Sequence, residues 1–311
     1  MKPIYAGTYS NRKRGRGKFI FIVIVIVQLL AVGGYLYVKS NKPDNKQTIN
    51  TPSLDDSNPS HDTTPEPLLP IPPSPETKAL VDDARSAMAA GQLTEAQNIL
   101  NKIVATNPDL VAIKLLGEVN IKLIKSSMMM PGKKYYTIQS GDFLLKVAKK
   151  FNTTVSLLKI MNGMESDVIR LGNRILVFDS AFTIRVSKSR NELDLLHDGK
   201  LFKRYSVGTG KFGKTPAVEF TIVDKIVEPP WTRPSDNKQI EFGDPENVLG
   251  TRWMKIVSAD HPELAGFGIH GTWERDSIGQ QSSAGCIRML NEDVEELFDL
   301  VPRKTTVIIA E

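Results

Sequence analysis

The sequence predicts a multidomain chain: an N-terminal transmembrane helix, an α-helical hairpin, a small β-α-α-β module and a mainly-β C-terminal domain. Three observations predict it. An uncharged apolar run at Phe19 to Val38 follows a cluster of basic residues; apolar residues then recur at helical spacing between Glu76 and Lys125; and short alternating stretches fill the chain from Phe182 to Glu311.

Residues 1–18 form a basic tail, with Lys2, Arg12, Lys13, Arg14, Arg16 and Lys18 and no acidic residue. These six account for the chain's net charge of +5 and leave the remainder close to neutral. Nucleic-acid binding therefore has no support, because its basic footprint should lie on the folded part. Residues 19–38 are long enough to span a hydrocarbon layer at 1.5 Å per residue, and the preceding cations orient the N-terminus to the cytoplasm. The competing reading is a signal peptide cleaved after Ala31-Val32-Gly33, but the apolar run continues past that point to Val38. Either way the chain is exported and its lone cysteine is a free thiol. Residues 39–77 form a linker with nine prolines and no apolar periodicity, an extended tether.

Residues 78–125 read as helical. Ala79, Leu80, Ala84, Ala87 and Met88 form one run and Leu93, Ala96, Leu100, Ile103 and Val104 a second, broken at Gly91 and stopped at Pro108. The spacing resembles a tetratricopeptide helix pair, with Leu110 to Leu123 as a third, packing helix. One repeat makes no concave groove, so the pattern implies a docking or self-association element, or a plain support for its neighbours. In residues 135–178, a strand at Tyr136 to Ile138, a turn at Gln139 to Asp142, helices at Phe143 to Phe151 and Thr154 to Met161, and a strand at Arg174 to Phe178 make the β-α-α-β unit.

Residues 182–311 open with two alternating runs around Asp198-Gly199, a β-hairpin signal that places His197 at a solvated turn tip. A helix is expected at Asn291 to Leu300. Farther on, GFGIHGTWERDSIGQQSSAGCIRM joins His270 to Cys286, sixteen positions apart. A thiol attacks as its thiolate, and an imidazole in reach takes its proton and later returns one to a leaving amine. That pair suits acyl transfer. His61 and His261 sit in linker and loop sequence, and with one cysteine and four scattered histidines the sequence offers no metal site and implies no cofactor. Ser282 and Ser283 lack the setting of a serine nucleophile.

The runs IHGT and SAGCIRM, with YSVGTGKFGKTP, PPW, GDPENVLGTRWMKI and the closing TTVII, resemble the L,D-transpeptidases, the YkuD-type domains that remodel bacterial peptidoglycan. The phrases YTIQSGD, FNTTVSLLKIMNG and IRLGNRILV resemble a LysM domain, which binds glycans of peptidoglycan. Five positions depart from these patterns. Val218 stands in a turn usually built on small residues, Ala284 replaces a polar residue before Gly-Cys, Lys304 replaces a glycine before the last strand, and Phe143 and Leu171 replace the LysM threonine and proline.

The resemblance implies a mainly-β catalytic domain and a two-step reaction. Cys286, with His270 as base, attacks the third residue of a tetrapeptide stem, expels D-alanine and passes the acyl group to an amine. The carbonyl of Gly271 would orient the imidazole, backbone N–H groups around Gly285 and Cys286 would serve the oxyanion, and Arg288, Ser283 and Gly285 would contact substrate. Arg288 suits a forked pair with a stem carboxylate, or equally a structural bridge to Glu292 or Asp293. Ser140, Gly141, Asp142 and Asn162 are the candidate glycan contacts, and each equally suits a cap or turn. The implied partners are peptidoglycan, the membrane through residues 19–38 and an unidentified protein or second copy through 78–125. Water as acceptor would make the protein an L,D-carboxypeptidase, a protein amine would make it a lipoprotein-anchoring enzyme, and an inactive domain would make it a peptidoglycan-binding scaffold.

Overall fold

The computed structural model describes residues 74–311. The basic tail, the apolar run 19–38 and most of the linker lie outside the described residues. No described helix is long and apolar enough to cross a membrane.

Helix α1 (Pro75–Ala89) starts one turn earlier than the linker reading allows: Ser74 caps it by accepting from the Thr77 N–H, and Pro75 takes the first helical position, where its missing N–H costs nothing. The inner face is Val81, Ala84 and Ala87, while Ala79 and Leu80 point outward. Periodicity alone places the last two inside; the real stripe is shifted. Gly91, at φ +74°, turns the chain into α2 (Leu93–Thr106), and Asp109 caps α3 (Leu110–Lys125) by accepting from Ala112 N–H.

Strands β1 (Lys133–Thr137) and β2 (Arg174–Phe178) pair antiparallel around α4 (Leu144–Lys150) and α5 (Val155–Asn162), the expected β-α-α-β unit. Phe143 occupies the position before α4, so that helix starts with no side-chain cap. Lys133 is buried between modules, where its ammonium donates to the carbonyls of Leu123, Ser126 and Met128 at the end of α3. Burial lowers its pKa to about 8.

The C-terminal domain is built on β3 (Phe182–Ser187), β4 (Glu192–His197), β5 (Lys200–Ser206), β6 (Thr209–Gly210), β7 (Glu219–Val227), β8 (Trp231–Thr232), β9 (Gln239–Ile240), β10 (Arg252–Val257), β11 (Gly268–Thr272), β12 (Gln281–Ser283), β13 (Ile287–Leu290), α6 (Asn291–Leu300) and β14 (Thr306–Ala310). Eight strands form one mixed sheet in the order β13-β11-β10-β7-β14-β3-β4-β5, with β11–β13 and β14–β3 parallel. The hairpin turn has Asp198 and Gly199 both at positive φ, as an Asp-Gly turn requires. His197, however, is not solvated. Its ring sits among Phe178, Phe182 and Phe202, its Nε2 is 2.8 Å from Ser180 Oγ, and burial lowers its pKa.

Strand β5 is an open sheet edge that α3 covers. Buried Asn120 donates to Phe202 O at 2.8 Å and accepts from Gln97 at 2.6 Å, while Gly117 leaves room for the Lys203 stem. Covering an edge strand removes a site of unwanted strand pairing. One continuous apolar core runs from Val81 in α1 to Ile309 in β14, so the helices are part of the folded body.

Candidate active site

All five residues of β11 are buried, and its parallel pairing with β13 sets His270 beside Arg288 and Gly271 beside Met289. Cys286 immediately precedes β13, so the sheet brings the sequence-predicted histidine, cysteine and arginine to one edge. On the other side of β11, Trp253 of β10 pairs with His270, and their rings lie 5.7 Å apart. Gly268 makes that possible, because a Cβ there would meet the Trp253 ring at 2.5 Å. Trp253 is a wall of the site, whereas in the sequence it stands out only as one letter of a motif.

The His270 Nδ1 donates to Gly271 O at 2.6 Å, which leaves Nε2 as an unprotonated acceptor. Burial pushes the imidazole pKa down to about 4, against the opposing pull of the Gly271 carbonyl, and the Arg288 cation lowers it further. At neutral pH His270 is therefore an uncharged base. The Gly271 carbonyl also accepts from Gly250 N–H at 2.9 Å, and a Cβ on Gly271 or Gly250 would meet Asn291 Oδ1 at 2.2 or 1.9 Å. Asn291 in turn accepts from Thr251 N–H at 3.1 Å. Gly250 thus holds the carbonyl that holds the imidazole, and Asn291 fastens the neighbouring Thr251; sequence motifs alone single out neither.

Cys286 is half-buried, with its sulfur 3.7 Å from Gly266 O, and forms no hydrogen bond with His270 in this structure. Desolvation pushes its pKa above the ordinary thiol value, opposed by the Gly268 N–H and the charge of Arg288. The resting pair is a neutral thiol and a neutral imidazole. Before Cys286 the backbone turns at Gly285, at φ +139°, where a side chain would strike the Phe267 ring at 2.8 Å. Ser283 closes this turn by donating to Cys286 O at 2.7 Å and accepting from Gly285 N–H at 3.0 Å. Both hydroxyl functions of Ser283 are thereby used inside the turn, and the Gly285 N–H is occupied as well. Thr215, fully buried, accepts from Gly210 N–H and donates to Gly285 O, each at 2.8 Å.

Arg288 makes neither of the bridges anticipated from sequence. Its Nη1 donates to Glu274 at 2.7 Å, and Glu292 pairs instead with Arg275. The guanidinium is mostly buried beside His270, and its Nε has no partner among the described residues.

One loop beside the turn is strained. Lys211–Gly213 is a single 3-10 turn in which Phe212 adopts φ +54°, ψ +38°, a left-handed conformation that costs a bulky residue about 1–2 kcal/mol. The Phe212 side chain gains no burial in return, since the residue is 92% exposed.

In the β-α-α-β module the four candidate glycan contacts separate into two kinds. Ser140 and Gly141 are exposed on the turn. Asp142 accepts from Tyr136 OH at 2.7 Å and Gln139 N–H at 2.9 Å, and the first of these chiefly lowers its pKa. Asn162 donates to Leu158 O and Leu176 O and accepts from Leu176 N–H, tying α5 to β2. These two are thus engaged in holding the module together, whereas Phe143 and Leu171 present apolar surface to solvent. No cluster of ligating side chains suited to a metal occurs among the described residues.

The L,D-transpeptidase catalytic domain (YkuD) matches residues 181–309, and the LysM domain matches 136–178. "Putative L,D-transpeptidase YqjB" of Bacillus subtilis is 40% identical over 127 residues, 40% of this chain and 69% of that one. "Putative L,D-transpeptidase YkuD" of Bacillus licheniformis is 33% identical over 56% of this chain and 97% of its own length. A solved L,D-transpeptidase from Mycobacterium smegmatis aligns over 45% of this chain and 64% of that one, at 18% identity and a TM-score of 0.35. With a relative matched over nearly its whole length at one-third identity, the chain belongs to the L,D-transpeptidase family and carries a LysM domain ahead of its catalytic domain.

Proposed function

We propose that the chain is a peptidoglycan L,D-transpeptidase in which Cys286 is the nucleophile and His270 its base. The observation that carries this reading is the adjacent parallel pairing of β11 and β13, with the imidazole fixed by Gly271 O and its Nε2 free. Rotation of the thiol away from Gly266 O toward Nε2 would let the imidazole take its proton as sulfur attacks the stem carbonyl. The tetrahedral oxyanion is met by the Cys286 N–H, since the Gly285 N–H is held by Ser283. Collapse breaks the peptide bond, His270 returns the proton to the departing D-alanine amine, and a thioester remains. An acceptor amine, deprotonated by His270, then attacks the thioester and restores the thiol.

In this reading Arg288 binds a donor carboxylate, for which its position beside His270 speaks, in exchange for the exposed Glu274, and it stabilises the thiolate. Gly285 acts by shaping the nucleophile's turn, and Ser283 by bracing that turn. The LysM domain would hold a glycan strand through the exposed Ser140 and Gly141, with Asp142 and Asn162 as its frame. Residues 19–38 would anchor the chain in the membrane with the catalytic part outside, and the helices 75–125 would brace the sheet edge. Retention in the membrane fraction after alkaline carbonate washing tests the anchor.

Intact-mass analysis of the protein after incubation with a carbapenem tests the chemistry. A one-to-one adduct on the parent, absent from Cys286→Ala, is expected. A folded protein that forms no adduct and releases no D-alanine from a tetrapeptide stem would sink the enzyme reading in favour of a wall-binding scaffold. Muropeptide analysis then separates amine from water as acceptor.

A further inference from the structure

The loop Lys211–Lys214 combines two features that the fold itself does not need. Phe212 is held in a left-handed backbone conformation, and its ring is almost wholly in water. A strained, exposed aromatic survives where the surrounding structure fixes it and some other requirement maintains it. Its surroundings do fix it. The loop springs from Gly210 and returns at Thr215, and both ends are fastened to the turn before Cys286. A Cβ on Gly210 would lie 2.9 Å from the Gly285 Cα, Thr215 Oγ1 donates to Gly285 O, and a Cβ on Gly285 would lie 3.2 Å from Lys214 O. The loop is thus a lip on the nucleophile's turn.

The chemistry of that lip is mixed. Lys211 and Lys214 flank Phe212 in the sequence, both are exposed, and neither forms a salt bridge among the described residues. An apolar face between two uncompensated ammonium groups complements a ligand with short aliphatic side chains and carboxylates on one backbone. A peptidoglycan stem peptide has that composition.

We propose that Phe212 is a specificity-determining residue whose ring is covered by a stem peptide at the Cys286 thioester site, with Lys211 and Lys214 facing its carboxylates. The proposal rests on the cysteine acyl-transfer reading. The same chemistry is present in the donor stem and in the acceptor stem, and the two are separable by experiment.

The test is Phe212→Gly in the full chain, with Phe212→Tyr as the conservative partner. Glycine is at ease at positive φ, so its melting temperature should equal or exceed that of the parent by a few degrees. With a tetrapeptide donor and water as acceptor, a rise of about tenfold in KM at little-changed kcat places the donor on the ring. With donor saturating and an amine acceptor supplied, a fall of about tenfold in the transpeptidation-to-hydrolysis ratio places the acceptor there. Phe212→Tyr should restore either value. The proposal is overturned if Phe212→Gly moves neither quantity, or if it melts well below the parent, which would make the ring a structural element. A parent that forms no carbapenem adduct refutes the acyl-transfer reading instead, and the two failures are thereby distinct.

Discussion

Thr215 and Gly285, seventy positions apart in the chain, are joined by a buried 2.8 Å hydrogen bond from the threonine hydroxyl to the carbonyl preceding Cys286. The same hydroxyl accepts from Gly210 N–H, so one side chain ties the lip, the strand β6 and the nucleophile's turn together. Thr215→Val keeps the shape and strands both backbone groups in the interior. The expected cost is about 1–3 kcal/mol by denaturant unfolding, with carbapenem acylation slowed at least tenfold. Thr215→Ser should retain most of both. An acylation rate equal to the parent's in Thr215→Val would show that the turn holds its shape without this bond.

The charge state of His270 predicts an unusual acid limb. Its pKa is lowered from 6.5 to about 4 by burial, so the base stays neutral and competent down to about pH 5. Carbapenem acylation should therefore fall only as pH drops through about 4 to 5, below the range of an ordinary histidine. Stability has the same sign. Between pH 6.5 and 4 the unfolded chain binds the proton and the folded one does not, so stabilisation present above 6.5 is lost as pH falls through that window. The full difference is of the order of 3 kcal/mol. An acid limb centred at pH 6 to 7 would contradict a buried, neutral His270. Iodoacetamide should alkylate Cys286 slowly at pH 7 and faster as pH rises past the ordinary thiol range, because desolvation raises that pKa.

Gly271 is predicted to tolerate no side chain. Gly271→Ala drives its Cβ against Asn291 Oδ1, and the displaced carbonyl releases His270 Nδ1. Soluble, folded Gly271→Ala should show acylation reduced a hundredfold or more. Adding Asn291→Ala removes the closest clash, leaving tighter-than-usual contacts to Gly250 Cα and Thr251 N, and should recover part of that loss, although Thr251 N–H then lacks its acceptor. Equal activity in the single and double variants would mean that the glycine is needed for another reason.

Much of this is legible in the sequence because the signals are local. Arg174 to Phe178 and Asn291 to Leu300 fall on the observed strand and helix, and the Asp198-Gly199 turn has the expected backbone. His270 and Cys286 are legible as candidates because both lie in motifs with recognisable neighbours. What escapes depends on long-range packing. Leu80 and Val81 are both apolar, and only docking of α1 on its neighbours decides which is buried. His197 sits beside a turn, where periodicity predicts water, but Phe178 from another module covers it. Thr215, Gly250, Asn291 and Glu274 act on residues far along the chain or across a strand, and no local pattern announces such partners. Asp142 and Asn162 suit caps and glycan contacts equally well in the sequence, and their hydrogen bonds place both in the framework of the module.

Lys304 is a case where a departure from the family pattern acquires a physical measure. It stands where the pattern expects glycine, and its backbone has φ +75°, a region that glycine enters without strain and lysine does not. Its N–H donates to Ile222 O, a bond that any residue but proline preserves, and its side chain is exposed. Lys304→Gly should therefore stabilise the protein by about 1 kcal/mol, less the extra freedom glycine has in the unfolded chain. Acylation should be unchanged. A lowered melting temperature would mean that the lysine side chain makes an interaction outweighing the backbone strain.

Asn120 tests whether the helices belong to the catalytic body. It is buried, donates to Phe202 O on the edge strand β5 and accepts from Gln97. Asn120→Leu leaves the Phe202 carbonyl and the Gln97 amide without their partner, so a loss of about 1–3 kcal/mol is expected. Because one apolar core joins α3 to the sheet, unfolding should remain a single transition displaced to lower denaturant, with circular dichroism and tryptophan fluorescence moving together. The tryptophans are Trp231, Trp253 and Trp273, all in the C-terminal domain, so fluorescence reports the sheet while helical dichroism reports α1 to α3 as well. If the helical signal is lost first while fluorescence stays native, residues 75–125 fold as a separate module that merely rests on β5.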